Sequence, residues 1–214
     1  MPLFTQSRFP RLWLLMQKAI GGNADKQRLA VEHYRGQARV LEIGCSVGNV
    51  SAAFLRFPGL SFTGLDIDSD ALALARQRFH DADNFRFVQG SLNELAQGDE
   101  RFDYVLFAGI LHHVDDTTGE GLLRDAMHCT EAGGTVVIYE PEALNAGDGW
   151  FLRLFNALFE QGVHLRSRPE LEALAKRAGM EIERVEDRMI SPGIVRRPYV
   201  ARFNLLVGKP GRVI

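Results

Sequence analysis

The sequence has little cysteine, little charge imbalance and no long apolar run. Only Cys45 and Cys129 are cysteines among 214 residues, too few for a disulfide framework. Lysine and arginine total 25 against 27 aspartate and glutamate residues, so no overall basic field would attract nucleic acid. No stretch approaches the roughly 20 apolar residues of a membrane span, and no signal peptide is visible. We therefore expect a single globular domain, residues 1–214, in the reducing cytoplasm.

The most informative segment is an apolar strand at 40–43 that enters a turn of small residues, after which a helix is expected near Gly48. The segment carries one acidic residue and four small ones, Glu42, Gly44, Cys45, Ser46 and Gly48. Such a unit is typical of nucleotide-type sites in open α/β sheets. It matches neither the dinucleotide fingerprint nor the phosphate-binding loop, which need a third glycine or a terminal lysine. The alternative is a tight connection that binds no ligand.

Strand and helix patterns alternate along the chain, which predicts an α/β fold with a parallel sheet and helices on both faces. The helices are expected at 71–79 and 170–178. The strands are expected at 40–43, 60–67, 85–89, 104–108, 135–140, 180–185 and 199–207.

A carboxylate follows the second expected strand, because Asp66 lies 22 positions beyond Gly44. At the end of that strand an ionised carboxylate can accept hydrogen bonds from both hydroxyls of a ribose. The alternative role is that of a helix N-cap, which Asp68 fits better than Asp66.

Four ordered motifs between residues 40 and 141 together resemble those of the class I S-adenosylmethionine-dependent methyltransferases. The first is E-x-G-x-S-x-G at 42–48, where Ser46 replaces the middle glycine of the usual form, and the second ends in Asp66. The third, at 102–113, ends in L-H-H, and the fourth is the glycine-led strand beginning at Gly133 and Gly134. The resemblance implies a Rossmann-like sheet of seven strands whose last strand is antiparallel.

The same resemblance implies S-adenosylmethionine as the cofactor and suggests roles for individual residues. Ile67 would pack on the adenine ring, and Glu42 would lie near the amino group of the methionine part. Ser91 stands where the family usually has an aspartate that binds the adenine amino group, which is a departure from the pattern. Leu92 and Phe107 complete the expected cofactor-binding set, with Gly44, Cys45, Ser46, Gly48 and Asp66.

The expected reaction is transfer of a methyl group to a small molecule by in-line displacement. The strand end at 107–110 lacks the D-P-P-Y type motif of amino-directed DNA methyltransferases, and neither cysteine follows a proline as in cytosine-C5 enzymes. Two alternatives stay open. One is a cofactor-binding relative without catalysis, acting as a regulator or partner. The other is a nicotinamide-dependent reductase, which the absence of a Y-x-x-x-K pair disfavours.

His112 and His113 are the candidate general bases, because imidazole titrates near neutral pH and both follow the fourth strand. Alternatively the pair has only a packing role. Tyr139, Glu140 and His164 are weaker candidates at the same edge. We expect no metal site, because the adjacent histidines have no third ligand at a recognisable spacing. Cys45 is expected to be a small filler and not a reactive thiol.

Four regions are expected: a helical cap at 1–35, a cofactor-binding core at 36–142, a helical lid at 143–166 and a C-terminal helix with strands at 167–214. Apolar stripes in the cap and the lid, the latter including Trp150 and Phe155, either roof a pocket for an apolar or aromatic acceptor, form a homodimer contact, or simply cover the sheet. Arg196 and Arg197 either bind an anionic group of the acceptor or belong to a solvated face.

Overall fold

The computed structural model describes residues 22–159, 162–191 and 199–211. Its strands are β1 (Arg39–Ile43), β2 (Ser61–Asp66), β3 (Phe85–Gln89), β4 (Phe102–Ala108), β5 (Thr130–Pro141), β6 (Met180–Ile190) and β7 (Ala201–Pro210). These seven strands form one sheet in the order β3-β2-β1-β4-β5-β7-β6. β7 runs antiparallel to both of its neighbours and the other strand pairs are parallel, which confirms the expected fold class.

Helices cover both faces of the sheet. Side chains of β4 alternate between two apolar cores, with Leu106 in one and Val105 in the other, as expected for a strand buried on both faces. The α-helices are α1 (Asn23–Glu32), α2 (Ser69–Arg78), α3 (Leu92–Ala96), α4 (Asp116–Cys129), α5 (Trp150–Phe159) and α6 (Arg168–Arg177); the 3₁₀ helices are Ser51–Arg56 and Leu111–His113. The first core is covered by α1, α2 and the 3₁₀ helix Ser51–Arg56, and the second by α3, α4 and α6.

Several boundaries differ from the expectations, and β6, for example, continues to Ile190, five residues beyond its expected end. No α-helix begins near Gly48: the chain continues in turns and then forms the short 3₁₀ helix Ser51–Arg56. This geometry brings the Ser51 hydroxyl onto the buried carboxyl group of Glu42. β5 begins before the glycine pair and not after it, and its pairing with β4 shifts register between Phe102 and Tyr104.

Parts of the expected organisation lie outside the described residues. The apolar stripe expected within residues 1–21 is among them, as are Arg196 and Arg197. The lid does contain a helix, α5, although the side chain of Phe155 is not described. Among the helices that are described, none combines the length and apolar character needed to cross a membrane. The four-region division stays a prediction.

Candidate active site

The turn after β1 has a left-handed backbone at three positions, with φ of 70° at Gly44, 50° at Ser46 and 72° at Gly48. A Cβ atom on Gly44 would lie 2.4 Å from Ile110 Cδ1, and one on Gly48 would lie 2.6 Å from Phe79 Cε2. Glycine is therefore required at both positions by backbone geometry and by internal packing. Ser46 adopts a conformation that is uncommon for a residue with a side chain.

The carboxylate of Asp66 connects this turn to the end of β2. Its Oδ2 accepts a hydrogen bond of 2.7 Å from the Ser46 N–H, and its Oδ1 accepts one of 2.9 Å from the Asp68 N–H. An ionised carboxylate offers about four lone-pair positions, so roughly two remain for other donors. Asp68, not Asp66, caps α2, by accepting hydrogen bonds from the N–H groups of Asp70 and Ala71. The expected N-cap is thereby confirmed.

Glu42 is buried on the same edge of the sheet, at the end of β1. Burial raises the pKa of its carboxyl group to about 8, an effect that the hydrogen bond from Ser51 opposes and the negative charge of Asp66 reinforces. The Glu42 side chain is therefore mostly protonated at pH 7. A cationic group placed beside it would favour the ionised form and lower this pKa.

The structure gives different environments to the residues expected around the adenine. Ile67 follows Asp66 with 76% of its surface exposed, so its apolar side chain is available for contact. Ser91 is instead the N-cap of α3. Its hydroxyl accepts from the Glu94 N–H and donates to the Glu94 carboxylate. Leu92 is buried in the second core. The Ser91 hydroxyl is thus largely engaged within its own helix.

Two expected cofactor-binding residues have core positions. Phe107 is fully buried in the second core, so its side chain presents no surface to the crevice and the expected contact has no geometric support. Cys45 is buried in the first core, where a Cβ on Gly64 would lie 2.8 Å from its sulfur. Burial raises the pKa of the Cys45 thiol well above its ordinary value. It therefore has the properties of a small filler and not of a nucleophile.

Glu140, at the end of β5, organises the segment that carries the two histidines. Its buried carboxylate accepts hydrogen bonds from the N–H groups of Ile110 and Leu111 at 2.8 Å and of His112 at 3.2 Å. The same group lies 2.7 Å from Nδ1 of His112. With the carboxylate ionised, this contact favours the tautomer of the neutral ring that carries its proton on Nδ1.

The two candidate bases differ in their surroundings. His112 is buried, whereas His113 is exposed. Their rings lie 4.0 Å apart between centroids. The main-chain oxygen of His112 accepts a hydrogen bond from the His164 N–H, but the His164 side chain is exposed. The buried carboxylate of Glu140 holds the His112 ring.

A buried arginine holds the same segment from its other side. Arg166 donates hydrogen bonds to the main-chain oxygens of Leu111 at 2.6 Å and Val114 at 2.9 Å, and to the Asp116 carboxylate. The sequence does not predict this contact, because Arg166 and Leu111 lie 55 positions apart in the chain. Arg166 and Glu140 together supply donors and acceptors to one short stretch of backbone.

Tyr139 does not fit its expected role as a base at the sheet edge. Its side chain lies in the first core, on the face opposite Glu140, and is completely buried. Burial raises the pKa of the Tyr139 hydroxyl well above its ordinary value. Its hydroxyl has no hydrogen-bond partner within the described part of the chain.

The lid helix α5 exposes apolar side chains. Trp150 has 75% and Leu154 has 48% of its surface exposed. Both residues lie on one side of the helix, four positions apart. An exposed apolar surface of this kind is typical of binding sites and interfaces.

Parts of the sequence are similar to known methyltransferases. Residues 40–134 match the family profile described as "Methyltransferase domain". A fatty-acid O-methyltransferase from Mycolicibacterium smegmatis is 41% identical over 69 residues, 32% of this chain and 25% of that protein. A demethylmenaquinone methyltransferase from Chlorobaculum parvum is 27% identical over 118 residues, 55% of this chain and 46% of that protein. The chain therefore covers less than half the length of either relative.

A solved structure shows the same fold. The calicheamicin biosynthetic methyltransferase CalO1, in its form bound to S-adenosylhomocysteine, superposes with a TM-score of 0.68 at 22% identity. The match covers 89% of this chain and 54% of that protein.

Proposed function

Because this chain belongs to the class I S-adenosylmethionine-dependent methyltransferases, we propose that it transfers a methyl group to a small-molecule acceptor. The observation that carries the proposal is the position of Asp66. Its carboxylate joins the glycine turn to the end of β2 and keeps acceptor positions free for the two ribose hydroxyls. The family membership also argues against a nicotinamide-dependent reductase.

The residues at this edge of the sheet fit the proposed cofactor. Asp66 would hold the ribose, Ile67 would pack on the adenine, and Glu42 would lie near the ammonium group of the methionine part. Gly44, Cys45, Ser46 and Gly48 form the turn beneath it. Ser91 and Leu92 lie where the adenine edge is expected, with Ser91 able to offer one remaining lone pair. We leave Phe107 out of this set because it is fully buried.

The bound cofactor supplies an activated methyl group on a sulfonium, so the protein mainly has to align the acceptor. His112 is the candidate base for an acceptor that must lose a proton, because its Nδ1 lies 2.7 Å from the buried Glu140 carboxylate, which holds the ring in place. His113 is the weaker candidate, since its ring is exposed. In-line geometry with the acceptor atom about 3 Å from the methyl carbon would complete the arrangement.

We further propose that the acceptor is apolar or aromatic. The names of the two curated relatives refer to a fatty acid and a demethylmenaquinone, both largely apolar. The lid supports the same class, because Trp150 and Leu154 expose apolar surface on α5. A homodimer contact through this surface is the alternative use of the lid.

A second candidate function is cofactor binding without catalysis. Two departures from the family pattern favour it, Ser46 in a left-handed turn and Ser91 engaged as a helix cap. Both residues belong to the cofactor site and neither belongs to the segment with His112, so cofactor affinity and turnover can be examined separately.

Titration calorimetry with S-adenosylhomocysteine, followed by a screen for its release from S-adenosylmethionine, tests the proposal. The acceptors would be medium- and long-chain fatty acids, reduced quinones and phenols, with benzoate and glycine as polar controls. We expect binding of the homocysteine product and turnover with at least one apolar acceptor. Binding without turnover throughout the screen would favour the non-catalytic function, and absence of binding would contradict both.

A further inference from the structure

We propose that Glu32, His33 and Glu186 form a binding site for a divalent transition-metal ion, for which zinc is the best match. One ligand atom of each residue lies within 4.8 Å of those of the other two. Glu32 and His33 lie at the end of α1, and Glu186 lies on the edge strand β6. Imidazole and carboxylate ligands are a combination that zinc accepts. The proposed methyl transfer uses none of these three residues.

His33 provides the independent evidence for a ligand. Only 10% of its side chain is exposed, and its Nε2 has no hydrogen-bond partner among the residues that the structure describes. This nitrogen lies 3.8 Å from Oε1 of Glu186, beyond hydrogen-bond reach.

Arg188 is paired with both carboxylates and holds them in place. It donates hydrogen bonds to Oε1 of Glu32 at 2.7 Å and to Oε2 of Glu186. The second oxygen of Glu186 consequently faces His33. Metal-binding carboxylates in proteins are commonly held by such outer hydrogen bonds. In a tetrahedral zinc site with bonds of about 2.0–2.1 Å, ligand atoms lie roughly 3.4 Å apart. The ligand atoms here lie within 4.8 Å of one another, so the three side chains would draw closer together on binding zinc.

Arginine side chains near the site oppose the binding of a metal cation. Arg184 lies 3.8 Å from Oε1 of Glu186 and competes with an ion for it, although most of the Arg184 side chain is exposed. Arg28 and Arg35 also face the cluster and oppose a cation. The two carboxylates and the buried Nε2 of His33 favour binding of a cation. Arg188 is also paired with both carboxylates. The arginines around the site therefore outnumber the carboxylates, so added salt should screen their repulsion of zinc and strengthen its binding.

Titration calorimetry with zinc chloride on the full chain tests the site, after treatment with a chelator and removal of any histidine tag. His33→Gln and Glu186→Gln remove one ligand each. His80→Gln is the matched control, because His80 is an exposed imidazole 3.1 Å from the Asp81 carboxylate. We expect one zinc site in the parent protein and in His80→Gln, and affinity at least about tenfold weaker in both ligand variants.

Two further readouts distinguish this site from adventitious binding by other histidines. Cobalt(II) should give visible absorption bands of a low-symmetry site in the parent protein that are lost in His33→Gln. Zinc should raise the thermal unfolding midpoint of the parent and not that of Glu186→Gln. The proposal is overturned if the parent binds no zinc, or if both ligand variants bind it as tightly as the parent does.

Discussion

Nδ1 of His112 lies 2.7 Å from Oε2 of Glu140, and the same carboxylate accepts the N–H groups of Ile110, Leu111 and His112. The ring and the backbone that carries it are therefore held by one buried group. Rotation of the ring would break a charge-assisted hydrogen bond in a buried environment. His112 is consequently presented at the carboxyl edge of the sheet in one orientation.

His112→Gln should lower kcat by about 10²–10⁴-fold for a hydroxyl acceptor, because it removes the proposed base. His113→Gln is the control and should lower kcat by much less, since the His113 ring is exposed whereas the His112 ring is held by a buried carboxylate. Steady-state rates with the best acceptor from the screen would test this. Equal losses in the two variants would contradict the assignment of the base to His112.

Asp66→Ala should weaken binding of S-adenosylhomocysteine by about 1–3 kcal/mol, the usual effect of losing a charged hydrogen-bond partner. Asp70→Ala, in the exposed first turn of α2, is the control. Calorimetry gives the affinities, and urea unfolding shows whether loss of the Ser46 contact also destabilises the turn. An unchanged affinity would count against Asp66 as the ribose-binding residue.

The free energy of unfolding should fall between pH 4.5 and 8 because of Glu42. Its pKa is raised from 4.5 to about 8 in the folded chain, so in this window the folded state holds a proton that the unfolded state has released. The slope from one such group is about 1.4 kcal/mol per pH unit. Glu42→Gln removes this titration, and its unfolding free energy should depend less on pH. Parallel urea-denaturation profiles for the two proteins from pH 5 to 8 would refute the prediction.

Arg166→Met should destabilise the protein by roughly 1–3 kcal/mol for each buried carbonyl that loses its donor. The carbonyls in question belong to Leu111 and Val114. Arg168→Met is the control, because its ion pair with Asp187 is largely exposed and should contribute about 0–1 kcal/mol. Urea denaturation gives both values, and similar small losses would show that Arg166 does not support the segment.

Replacing Trp150 and Leu154 by alanine should raise KM for an apolar acceptor by several-fold and leave affinity for S-adenosylhomocysteine unchanged. Both side chains are exposed, so their loss should change the unfolding free energy by about 0.5 kcal/mol or less. Leu55→Ala, also an exposed apolar residue, is the control. If KM stays the same while the sedimentation coefficient changes, the lid is a contact between copies of the chain.

Local patterns were sufficient for most of the fold. The strand at 85–89 was expected at the bounds that the structure shows, and Asp68 was expected to cap the following helix. Both depend on interactions within a few residues, namely side-chain alternation and hydrogen bonds to nearby N–H groups. No α-helix begins near Gly48, where one is expected; the chain instead forms a 3₁₀ helix in which Ser51 donates a hydrogen bond to Glu42, nine positions earlier.

The sequence alone determined the alternation of strands and helices, the sheet buried on both faces and the family motifs, because periodicity and turn chemistry are local properties. Only the tertiary structure decided that Phe107 lies in the core, that Glu140 holds His112, and that Glu186 meets Glu32 and His33. These outcomes depend on strand order and register. Strand order and register both arise from packing the whole chain, so they cannot be inferred from any short stretch of residues.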